Sequence, residues 1–66
     1  MLLSPRELQL FRLVGLGHKP KEIALELKLS VRTVESYGIR IRDKLGLAGA
    51  HELFRTAVAW VANVGG

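Results

Sequence analysis

The chain has 66 residues, ten Lys and Arg against six Asp and Glu, a net charge of +4 and no cysteine. That length allows one domain near the lower limit for folding without staples, and the lack of cysteine excludes disulfides and thiolate metal sites. His18 and His51 stand far apart with no companion ligands and no run of about 18 apolar residues or signal peptide is present, so no metal site, no cofactor and no membrane partner is expected, and a soluble, cytoplasmic protein is.

The first helix is announced by Ser4-Pro5-Arg6-Glu7. Ser4 is the N-cap, Pro5 takes the first helical position and Glu7 completes a capping box. Leu8, Leu10, Phe11 and Val14 form its apolar stripe, and Gly15 with Gly17 end it. The second helix is expected from Pro20 to Lys28, entered through Lys19, a poor N-cap, with Ile23, Ala24 and Leu27 on one face. Leu29-Ser30 is a tight break, and Ser30 caps a third helix over about 31–45 that Gly46 ends.

A fourth helix is expected over about 50–63, entered through Gly49, with Glu52 in its first turn. On a helical wheel with Leu53 at zero, Ala57, Trp60 and Val64 lie within about 40°, while Val61, Phe54 and Val58 fall near 80°, 100° and 140°. An apolar stripe so wide exceeds what a small core needs to cover, so either the other three helices wrap the fourth or part of it meets a partner. No strand-like alternation occurs, and the terminal Gly65-Gly66 is expected to fray. The expected core is Leu8, Phe11, Ile23, Ala24, Leu27, Val34, Ile41, Leu45, Leu53, Phe54 and Ala57, with Tyr37 at least half buried.

Two helices joined by so short a break, the second polar on its outer side, are the sequence form of a helix-turn-helix. On the third helix, Val34, Gly38, Ile41 and Leu45 share the inner direction. Arg32, Glu35, Ser36, Ile39 and Asp43 lie between about 100° and 200° from Val34. Arg32 can donate a bidentate pair to guanine, Glu35 can accept from cytosine N4, and Ser36 can donate or accept. Ile39 fits a thymine methyl group, or is an exposed isoleucine that needs no explanation.

Between Lys19 and Lys44 there are seven basic and four acidic residues, a bias that suits a polyanion, or an ordinary solvated face. Ser30 and Thr33 near the start of the third helix, Arg40 and Lys44 along its flank, and Lys21 at the start of the second, have the chemistry of phosphate contacts. Each also has a bland alternative as a solvated charge or a cap.

LSPREL…F…V..G at 3–17, KEIA..L at 21–27 and S.RTVESY...I..KLGL at 30–47 together resemble the LuxR-type helix-turn-helix domain of NarL/FixJ-like response regulators, over roughly residues 3–62. The resemblance implies an all-α, tetrahelical fold of the LuxR/GerE kind filling residues 1–66. It implies a bacterial, sequence-specific DNA-binding transcription regulator of a two-component system whose third helix enters the major groove of double-stranded DNA. It also implies that the fourth helix pairs two copies; here Val58, Val61 and Ala62 would make that homodimer contact. Relatives carry a receiver or ligand-binding domain ahead of this module, so the chain is expected to be an output domain, the alternative being a natural stand-alone member, with RNA polymerase as a further partner. Four positions depart from the family: Lys19-Pro20 replaces a commonly polar Ser-Asn entry, and Gly38 and Ala50 each replace a frequent Arg.

The alternative is a small helical protein-interaction module without specific DNA binding, served by the wide stripe of the fourth helix. Region four of a sigma factor is also a helix-turn-helix, but the TVESY...I..KL pattern argues against it. An enzyme is not expected: no nucleophile–base pair, paired carboxylates, phosphate-cradling glycine loop or metal cluster is visible in the sequence.

Overall fold

The computed structural model describes residues 2–64, so the expectation for Gly65-Gly66 lies outside the described residues. The chain is all-α, with four helices in the order α1 (Pro5–Gly15), α2 (Pro20–Leu27), α3 (Val31–Leu45) and α4 (Ala50–Val64). No strand occurs among the described residues.

The helix starts follow from their caps. Ser4 Oγ accepts from the Glu7 N–H at 3.2 Å, and Glu7 Oε1 accepts from the Ser4 N–H at 2.8 Å, a complete capping box. Lys19 has no side-chain acceptor, so α2 receives only the reverse half of that arrangement: the Lys19 N–H donates to Glu22 Oε1 at 2.7 Å. Ser30 Oγ accepts from the Thr33 N–H at 3.0 Å and opens α3. At α4 the Ala48 N–H donates to Glu52 Oε2 at 2.6 Å.

Lys28 was expected inside α2 and instead lies just past its end, with φ 58° in the left-handed region. That residue makes the sharp turn, and the Leu29 N–H returns to the Ala24 carbonyl at 2.9 Å. Holding a lysine there costs on the order of 1–3 kcal/mol, which the surrounding packing offsets. Gly46, at φ 69°, ends α3 without that cost.

The buried core comprises Leu10, Phe11, Leu13, Ile23, Ala24, Leu27, Val34, Ile41, Leu53 and Ala57. α1 touches each of the other three helices, whereas α2 and α4 do not meet. This explains why α1 buries Leu13, outside its expected stripe, as well as Leu10, while Leu8 is only partly covered. Leu45 is also only partly buried. Phe54 is a clear correction: α4 is packed through Leu53, Ala57 and Trp60, and the Phe54 side chain stays 45% exposed. Trp60 closes that side of the core, its ring centroid 5.6 Å from that of Phe11. Tyr37 is more than half buried, as expected.

α1 and α4 approach closely at Gly15. A Cβ there would run into the Ala57 carbonyl oxygen and lie 2.6 Å from Val61 Cγ2. The glycine is therefore required for contact rather than for its backbone angles.

Candidate nucleic-acid interface

The turn between α2 and α3 fixes how α3 is presented. Ile23, Ala24 and Leu27 of α2 and Val34 and Ile41 of α3 share the core, so the opposite face of α3 stands outward on a rigid support. Arg32, Glu35, Ser36 and Ile39 all lie on that face and all are exposed, Ile39 by 50%. The structure thus brings the four proposed base-contacting residues together over two turns of one helix. Ser36 Oγ donates to the Arg32 carbonyl at 3.1 Å, a local bond to the preceding turn.

The flanking groups divide by how they are held. Arg40 is exposed, and its guanidinium carbon lies 5.3 Å from the centroid of the Tyr37 ring, a cation–π contact three residues apart on one helix. Ser30 and Thr33 form a unit at the helix start: their hydroxyl oxygens are 2.9 Å apart, in addition to the Ser30 cap. Lys21 is exposed in the first turn of α2.

Lys44 behaves differently from the expectation of a free flanking cation. Its Nζ lies 2.7 Å from Glu7 Oε1, joining the end of α3 to the start of α1. This is the only ion pair among the described residues. Glu7 itself is almost completely buried, and the Lys44 ammonium, followed by the Ser4 N–H, holds its carboxyl below the ordinary range against the opposing effect of burial.

The outer face of α4 is only partly as expected. Val58 is 39% exposed and Ala62 is exposed, but Val61 is partly covered where it packs at Gly15. Phe54, one turn before Val58, continues the exposed apolar stripe in its place. Its position 100° from Leu53 on the wheel was the signal that it lies beyond the buried face.

The sequence gives no indication of the Glu7–Lys44 pair, whose members are 37 residues apart. The Tyr37–Arg40 contact, by contrast, follows a three-residue helical spacing that is visible in the sequence.

With this geometry in view, the comparisons with known proteins decide the family. The family described as "Bacterial regulatory proteins, luxR family" matches residues 1–57. The chain belongs to this family. Among similar proteins are the "Oxygen regulatory protein NreC" of Staphylococcus aureus strains JH9, JH1 and USA300, each 44% identical over 57 residues. The aligned part covers 86% of this chain and 26% of each relative, so the chain spans about a quarter of their length. No solved structure gives a significant match. The fold is that of a LuxR-type helix-turn-helix domain, the kind that DNA-binding transcriptional regulators carry. No helix is long and apolar enough to cross a membrane among the described residues.

Proposed function

We propose that this chain is the DNA-binding output module of a two-component transcription regulator. α3 enters the major groove, with Arg32, Glu35, Ser36 and Ile39 against base edges. Lys21, Ser30, Thr33 and Arg40 contact phosphates and set the register. Lys44 contributes its charge at the edge of that surface while tied to Glu7. Two copies pair through the Val58–Ala62 side of α4, so that two recognition helices meet inverted half-sites. In the whole protein a receiver-type domain governs that pairing, RNA polymerase is the further partner, and the work is done on cytoplasmic DNA.

One observation carries this reading: four side chains able to address bases stand together, exposed, on the second helix of a helix-turn-helix, flanked by cations. The family supports it. The test is selection of bound duplexes from a random pool. Enrichment of a defined motif is the expected result, and recovery of unselected sequence would count against it.

A second reading has its own observation. The exposed Phe54, Val58 and Ala62 form an apolar stripe on α4 that a protein partner other than a second copy could cover. Under that reading selection yields no motif.

A further inference from the structure

The hydrogen bond inside the recognition helix limits what that helix can ask of a base. Ser36 carries one hydroxyl proton, and the Arg32 carbonyl takes it at 3.1 Å. Its oxygen therefore faces outward as an acceptor. The neighbouring Glu35 side chain is exposed, has no hydrogen-bond or ion-pair partner among the described residues, and as a carboxylate can accept but not donate. One turn further, Ile39 adds no polar group. The middle of the face thus offers acceptors and an apolar surface but no donor. Arg32, a turn earlier, is its one donor.

In the major groove, amino donors belong to cytosine, through N4, and to adenine, through N6; guanine O6 and thymine O4 are acceptors. An acceptor-only surface meets the first pair favourably. Against the second it sets lone pair opposite lone pair and leaves both groups desolvated without a partner. We infer that Glu35 and Ser36 act together as an amino-group reader, requiring cytosine or adenine at the bases they face and rejecting guanine and thymine there. This rests on the reading of α3 as the helix in the major groove, and it adds the chemical class of base at that site.

The test uses the intact chain and the duplex enriched from a random pool. In that duplex each adenine in turn is replaced by purine, which lacks the 6-amino group, and each cytosine by pyrimidin-2-one, which lacks the 4-amino group. The same replacements outside the protected region serve as controls for weakened pairing. At the positions facing α3 the expected loss of affinity is roughly ten- to a hundredfold. Glu35→Gln, whose carboxamide both donates and accepts, should shrink that loss and admit guanine or thymine at its position. Ser36→Ala should shrink the loss at the neighbouring one. Circular dichroism of both variants checks that the helices are retained. Sequence-selective binding that is indifferent to every amino-group deletion overturns the inference while leaving α3 as the DNA-reading helix. Failure to retain any duplex overturns both.

Discussion

Lys44 Nζ and Glu7 Oε1 are 2.7 Å apart, and the same carboxylate oxygen accepts from the Ser4 N–H at 2.8 Å, so one buried acceptor both caps α1 and anchors the end of α3. Because Glu7 is held below its ordinary range in the folded chain, it binds its proton more readily when unfolded. The stability it contributes is then present above the unfolded value, about 4.3, and is lost as pH falls through the lower folded value. Thermal melting across pH 2–7 should show that loss. Glu7→Gln should melt lower at neutral pH and lose part of the acid-dependent fall. An unchanged acid limb in the variant would assign the fall to other carboxylates.

Gly15→Ala tests the contact between α1 and α4. Alanine is better than glycine within a helix by about 1 kcal/mol, so propensity alone favours the change. The added methyl group would meet Ala57 backbone and Val61 Cγ2, and overpacking of this kind costs about 1–3 kcal/mol. Net destabilisation in a urea titration is expected. A more stable variant would mean that the two helices separate at little cost.

Gly38→Arg should gain function. A Cβ at this position meets only Leu53 Cδ2 at 3.8 Å, so the first carbon of a side chain fits there in ordinary contact. Helix propensity improves by somewhat under 1 kcal/mol, and one cation is added beside α3. Melting temperature should rise. The slope of log affinity against log salt should steepen by about one phosphate's worth, while Arg40→Ala should flatten it by a similar step. No change of slope in either variant would place the DNA backbone elsewhere.

Val58→Glu addresses pairing. Val58 is exposed in the monomer, so a charge there should leave the fold intact. Electrophoretic shifts on a duplex with two half-sites should lose cooperativity, while binding to one half-site persists. Phe54→Glu should act alike, since Phe54 lies on the same stripe. Val61→Glu should instead destabilise the monomer, because Val61 is lodged at Gly15. Cooperative binding by Val58→Glu would exclude this face as the contact between copies.

Local signals read well from the sequence: Ser4, Pro5 and Glu7 locate the first helix, and Ser30 and Gly46 bracket the third to the residue. The inner and outer faces of α3 follow from periodicity, since one side packs and the other does not. Periodicity does not tell how many neighbours a helix has. Leu13 is buried because α1 serves three partners, and Phe54 is exposed because α4 is covered on one side only. Lys28 bears no residue-type signal for a left-handed turn, where glycine or asparagine is usual. The Glu7–Lys44 pair depends on tertiary packing and has no sequence period at all.

The most direct measurement is a titration of the ¹⁵N-labelled chain with the enriched duplex, followed by amide chemical shifts. Perturbations should concentrate at residues 30–40 of α3 and at Lys21, with α1 little affected. Shifts centred on Phe54, Val58 and Ala62 with a silent α3 would contradict α3 as the reading helix and make the outer face of α4 the primary binding surface.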